Sequence, residues 1–344
     1  MGVLDWLRRD RSGISRSDEA RAAETIERIL QVNNPRLRFA RRYRARLTPA
    51  VHGAIEYAQA LVAGVPAARD ASRAGWVADH AMRAFFATPE DIALAFSRSP
   101  ELRSWFSSNV GADHVYAVLS MELVERRVLN VAVEGGILRR DVPQTTISFT
   151  DHRARMCAGS EAELRQVIER RIVDQLALLG LAIAGQDQAK RGVLEQERAL
   201  LKIRLRLLQA QGAGLTALGA NPAAAGTDLA RAYADLAVNE ANLKSIAAGP
   251  EALDFQLEKL REVLAEPQAH FFVTKRTVKL DRMNVLQKDE ETAYEPLELQ
   301  IARVPVPDGA PELRTFVLAR FGRSELLPQG ALLADAARVL SLDR

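Results

Sequence analysis

Cysteine is the scarcest resource in this 344-residue chain: there is one, Cys157. No intramolecular disulfide can form, and a reducing compartment fits. Long apolar runs are also missing. The longest, LALLGLAIAG at 176–185, is about half of what a bilayer span needs. The opening MGVLDWLRRD carries acids and lacks the apolar core and small-residue cleavage site of a secretory signal. These absences predict a cytoplasmic protein, at most peripheral on a membrane.

Motifs that carry catalysis are absent too. There is no GxxxxGK[ST] phosphate loop and no G-x-S-x-G nucleophile elbow. Cys157 lies in RARMCAGS, close behind Arg153 and Arg155, which could lower a thiol pKa, but a lone cysteine is more often a small buried hydrophobe. No cofactor is expected, and an enzyme is the less favoured class. Lysine is missing from the whole first half, and the first one is Lys190. Every earlier side-chain cation is therefore Arg or His, and arginine is the better fork for phosphate or carboxylate. A coding bias toward Arg and Ala accounts for the same pattern.

What is present is an ordinary globular composition: 48% hydrophobic, 26% charged and a net charge of +3. The charge is uneven. Residues 1–46 hold twelve Arg against six Asp or Glu, so the remainder is net acidic. Six of those arginines, Arg36, Arg38, Arg41, Arg42, Arg44 and Arg46, fall in PRLRFARRYRARLTP. Read as a helix over 36–47, this stretch gathers Phe39, Ala40, Tyr43, Leu47 and Ala50 on one face and spreads arginine over the other. The basic face is either a solvated back or a surface for the phosphates of nucleic acid or anionic lipid.

Helix starts are marked by Thr48-Pro49, Thr88-Pro89, Ser99-Pro100 and Gly249-Pro250, each a cap before a proline, and by a capping box at Ser160–Glu163. They predict helices near 18–32, 36–47, 49–63, 68–87, 89–98, 100–108 and 113–126, with Trp76, Phe85, Phe86, Phe96, Trp105 and Phe106 as core. A hairpin and a short third strand are expected within 128–149, turning at Gly135-Gly136. From Glu161 to about Gln211 the apolar period is helical, through Leu164, Ile168, Ile172, Leu176, Leu179 and Ile183, resuming at Leu194, Leu201, Leu205 and Leu208. Gly180, Gly185 and Gly192 make a break near 185–192 a serious alternative. Residues 212–228 read as a small-residue loop, followed by helices 229–247 and 251–265. Strands at 271–286, 297–306 and 313–322 and a helix at 330–341 complete the chain.

The fold class expected is mainly α with a small antiparallel β component (α+β). Its predicted parts are a flexible segment 1–17, a helical head 18–158, a long-helix hairpin or three-helix unit 159–268, and a small β piece 269–344. Three Asp-His pairs stand out: Asp79-His80, Asp113-His114 and Asp151-His152. Imidazole and carboxylate together suit a hydrolytic metal, but the spacings match no ligand motif and caps account for Asp113. The function expected is a non-enzymatic scaffold or adaptor that holds a protein partner through its long helices. The stripe at Leu194, Leu201, Leu205 and Leu208 would be covered by the chain itself or by a second copy in a coiled coil. The alternatives are a nucleic-acid or anionic-membrane binder and a metal-dependent hydrolase.

Overall fold

The computed structural model describes residues 16–134, 137–216, 222–244, 250–287, 294–306, 309–330 and 332. The segment 1–15, the turn at 135–136 and nearly all of the helix expected at 330–341 lie outside them. The chain is α+β, and it divides into two compact units, one of residues 1–54 and 176–266, the other of residues 55–175 and 267–344. This grouping cuts across the sequence-order reading. The head and the C-terminal β piece share one sheet, while the N-terminal helices group with the helical middle.

In the first unit, α1 (Arg16–Asn33) leads to a 3-10 turn (Pro35–Phe39) and then to α2 (Tyr43–Ala63), whose first half belongs here. A single helix over 36–47 is thus replaced by two elements. Asn34 caps the short turn, and Arg42 sits at φ 52, a left-handed conformation that no α-helix accommodates. The longer helix starts at Tyr43, before Thr48-Pro49, and carries Pro49 inside it.

The long α7 (Glu161–Thr216) is continuous for 56 residues, and α8 (Pro222–Lys244) and α9 (Pro250–Ala265) follow. Neither the break at 185–192 nor the broad loop at 212–228 is found. Only 217–221 separates the two helices. Gly180 explains one interruption of the apolar period: a Cβ there would stand 2.9 Å from the Leu260 Cα and 3.1 Å from the Lys259 carbonyl oxygen. The glycine lets α9 approach closely. Gly185 and Gly192 face open space.

The second unit is built on a mixed sheet. Between α2 and the sheet's long hairpin come β1 (Arg69–Asp70), α3 (Arg73–Ala78), α4 (His80–Phe85), α5 (Pro89–Ser97) and α6 (Pro100–Ser108). Thr88 and Asp91 form a reciprocal capping box, and Ser99 caps α6. The helix expected at 113–126 is instead a strand. Residues β2 (His114–Glu134) and β3 (Ile137–Ala158) make a hairpin much longer than 128–149. Val115, Ala117, Leu119 and Met121 alternate onto a buried face, the period-2 signature of a strand.

After α10 (Pro267–His270) come β4 (Phe272–Lys279), β5 (Pro296–Val304) and β6 (Glu312–Gly322), giving the order β3-β2-β6-β5-β4. β1 pairs in parallel with β6 beyond the end of β5, and all other pairings are antiparallel. One face of the sheet is the main core, where Phe85, Phe86, Phe96 and Phe106 meet Leu119, Ala319 and Phe321, with Trp76 and Trp105 partly buried against them. Phe96 stacks on Phe321 at 4.7 Å. β2 pairs with β6 only as far as Met121; beyond it, the outer edge of β3 is bridged at Thr146 by Val285, with Ile147 donating to the Asn284 carbonyl and Leu286 to that of Thr145.

Candidate functional site

The α7–α8 hairpin is where the sequence left its largest surplus of apolar residues. Gln209 donates to the Tyr233 hydroxyl at 2.8 Å, Lys202 meets Glu240 at 3.7 Å, Asn239 donates to Glu197 at 3.2 Å and Arg191 donates to the Leu243 carbonyl at 3.3 Å. Rising numbers on one helix pair with falling numbers on the other, so the two run antiparallel. The predicted stripe lies on the covered side: Leu205 is buried at 6% exposure, and Leu194, Leu201 and Leu208 are half-buried.

A second stripe on the same helix is uncovered. Val193, Leu200, Ile203 and Leu207 are 55%, 66%, 54% and 58% exposed. At 100° per residue they fall within an arc of roughly 80°, and 193, 200 and 207 repeat at seven residues. This is the a/d spacing of a helix that packs along another helix. Arg204 and Arg206 flank the arc on opposite sides, both exposed and without an ion-pair partner among the described residues. The nearby carboxylates are engaged, Glu195 with Arg191 at 3.0 Å and Glu197 with Asn239. The surface is therefore an apolar track with cationic borders. ALLKIRLRLL is apolar on more than one side, which was the legible signal for it.

Among the six arginines near the N-terminus, three are occupied. Glu27 pairs with Arg38 at 3.0 Å and Arg44 at 2.7 Å, and accepts from the Tyr43 hydroxyl at 2.8 Å. That hydroxyl, followed by Arg44 and Arg38, holds the Glu27 carboxyl below its usual range against the opposing effect of burial. Arg46 binds Asp254 and Glu258 on α9. Arg36, Arg41 and Arg42 are exposed, and so is Phe39, at 83%. The sequence had placed Phe39 on a core face; the 3-10 geometry turns Leu37 and Ala40 inward instead.

Comparison with protein-family models, curated proteins and solved structures finds no match to this chain.

The Asp-His pairs are employed locally. Asp79 accepts from the Ala81 amide at 2.8 Å as the cap of α4 and pairs with Arg69 at 2.6 Å. His80 Nδ1 lies 3.2 Å from Glu295. His114 packs edge-on to Tyr116 at 5.5 Å, and Asp113 offers its carbonyl to the Arg323 amide. Asp151 is held by Arg153 and Arg314, each at 2.7 Å. Its burial opposes ionisation, but those two guanidiniums outweigh it and hold the carboxyl below its ordinary value. His152 donates from Nε2 to the Phe85 carbonyl at 2.9 Å and stacks on Phe86 at 4.4 Å. Among the described residues no group of three or more His, Cys, Asp or Glu is placed to hold a metal ion.

Cys157 departs from the activated-thiol alternative. Burial first, and Glu101 second, push its thiol up to about 12, opposite to what its arginine neighbours in sequence would do. It is a protonated, half-buried thiol at neutral pH. Among the described residues no helix is long and apolar enough to cross a membrane.

Proposed function

We propose that the protein is a non-enzymatic scaffold or adaptor whose α7 surface takes an acidic amphipathic helix from a protein partner. The observation that carries this is the uncovered seven-residue repeat of Val193, Leu200 and Leu207, with Ile203 between the last two. Burying one such side chain is worth roughly 1.5–3 kcal/mol, so a partner helix that covers all four gains substantially. Arg204 and Arg206 set the sign of that partner. A second copy would bring the same guanidiniums and no free carboxylate from this stretch to meet them, whereas glutamates beside a leucine seam would.

The test is a pair of labelled peptides, each with leucine at the a and d positions, one with glutamate and the other with lysine at the flanking positions. Fluorescence anisotropy with the full chain should show binding of the glutamate peptide and at least tenfold weaker binding of the lysine peptide. Leu200→Asp with Leu207→Asp should abolish binding, and Arg204→Glu with Arg206→Glu should reverse the preference. Equal binding of both peptides, or a dimer in light scattering that Leu200→Asp dissociates, would overturn the acidic-partner reading.

A second reading is favoured by Phe39, which stands exposed close in sequence to Arg36, Arg41 and Arg42, exposed and without an ion-pair partner among the described residues. An apolar ring among guanidiniums suits phosphate on a lipid surface or a nucleic acid. Phosphatidylserine vesicles and a single-stranded oligonucleotide separate the two sources. Phe39→Ala should weaken binding to whichever is bound at 50 mM salt, and binding to neither ends this reading.

A further inference from the structure

The sheet of the second unit has a face opposite the phenylalanine core, and that face encloses a cavity of about 360 Å³. Val118, Ala302 and Phe316 form its floor on neighbouring strands, with Ala302 opposite Arg314 and Val118 one register step from Ser120, which faces Phe316. Leu61 from the end of α2 and Val65 just after it, with Ile168 and Ile172 from the start of α7, make the walls. A volume in this range, lined by aliphatic and aromatic groups with a few polar ones, is the ordinary form of a small-molecule site.

The polar groups are not balanced in sign. Arg155 and Arg171 line the cavity while exposed to solvent, so they stand at its opening. Neither has a hydrogen-bond or ion-pair partner among the described residues. A third guanidinium, Arg314, is fixed by Asp151, donating to its carboxylate and its carbonyl at 2.7 Å each. Among the described residues Glu101 is the one carboxylate on the lining, and its Oε2 accepts from the Met156 amide at 2.8 Å.

The backbone beside this opening is distorted. The β2–β3 register slips between Tyr116 and Val118 and again between Ser120 and Glu122, each time with an extra residue on β3. The two bulged positions are Met156 at φ 60 and Asp151 at φ 50, neither of them glycine. Left-handed conformations cost such residues of order 1 kcal/mol or more, and bulges re-aim the side chains around them. Here one bulge sets Arg155 and Met156 side by side on the cavity, and the other sets the Asp151 carboxylate against Arg314. Two strained residues in one strand, both serving the rim of one cavity, are a second and independent mark of a built site.

We infer that this cavity binds an amphipathic anion, a linear acyl or alkyl chain with a carboxylate or phosphate head, the chain lying on the Val118–Phe316 floor and the head meeting Arg155 and Arg171. Guanidinium pairs with either head group in a bidentate manner. The site belongs to the second unit and is separate from the α7 seam.

The experiment uses the full chain and isothermal titration calorimetry with octanoate, dodecanoate, hexadecanoate and dodecyl phosphate, each below its micelle-forming concentration. Dodecyltrimethylammonium and dodecanol are the controls. At least one anion should bind and raise the melting temperature, with dodecyltrimethylammonium at least tenfold weaker than the anion of equal chain length. Arg155→Gln with Arg171→Gln should lower the affinity of that anion at least tenfold. Both residues are exposed, so the variant should keep the wild-type melting curve without ligand. Ser120→Leu tests the bed separately, by filling floor volume and excluding the longer chains first. No binding by any of the four anions, equal binding of the cationic chain, or unchanged affinity in the double arginine variant would each overturn the inference.

Discussion

The two halves of α7 use the same kind of residue to opposite ends. Before Gly185, the stripe from Leu164 to Ile183 is buried or half-buried, and Leu164 and Leu176 are fully enclosed. After it, the helix carries two apolar stripes about 120° apart, of which the one through Leu205 is covered and the one through Leu200 is open. Hydrophobicity therefore does not separate core from open surface in this helix. What separates them is the number of apolar faces a segment carries compared with the number of helices its own chain supplies.

The comparison can be broken most forcefully by truncation. Leu176→Ala removes a fully buried side chain and should cost about 2–5 kcal/mol. Leu200→Ala, at 66% exposure, should change stability by less than about 0.5 kcal/mol. Urea unfolding of both variants checks the pair. Equal losses would mean that the Leu200 face is covered in solution.

Glycines sharpen it next. Gly180→Ala should destabilise by about 1–3 kcal/mol, because the added methyl meets the backbone of α9, which cannot turn aside as a side chain would. Gly192→Ala meets nothing and should stabilise by about 1 kcal/mol through helix propensity. Opposite signs in thermal melts are the expected result, and a gain from both would refute the close α7–α9 approach.

The smallest effect expected is a pH dependence confined to the sheet unit. Burial lowers the His152 pKa below its ordinary 6.5, although the hydrogen bond to Phe85 and the charges of Asp91 and Asp151 work the other way. A base whose folded pKa is depressed takes up protons more readily when unfolded, so stability is full above 6.5 and falls as pH drops through the folded pKa. His152→Gln should flatten that part of the urea-midpoint profile, while Leu200→Ala should leave its slope alone. An unchanged slope in His152→Gln would remove His152 from the account.

The long hairpin shows where local reading stopped. HVYAVLSMEL has enough Leu, Met and Ala to pass for a helix, and the cap-like Asp113 before it reinforced that. The alternation of Val115, Ala117, Leu119 and Met121 was visible, but its meaning depended on β6, some 200 residues away. The uncovered stripe was half-legible, as a segment apolar on more than one side. The cavity left no trace in the sequence, since its lining comes from widely separated elements and the left-handed Met156 on it carries no turn signature.

By itself, the sequence determined the helices that start at Thr88-Pro89 and Ser99-Pro100, the phenylalanines that form the core, the α+β class and the three C-terminal strands. These rest on interactions within a few residues, a side-chain oxygen meeting an amide three positions on, or on a period short enough to count. Tertiary structure alone decided that 114–134 is extended, that α7 continues through its glycines, that Phe39 points outward and which leucine stripe is covered. The strand and the covered stripe depend on a partner surface distant in the chain, because an apolar side chain is equally apolar whether or not something arrives to cover it.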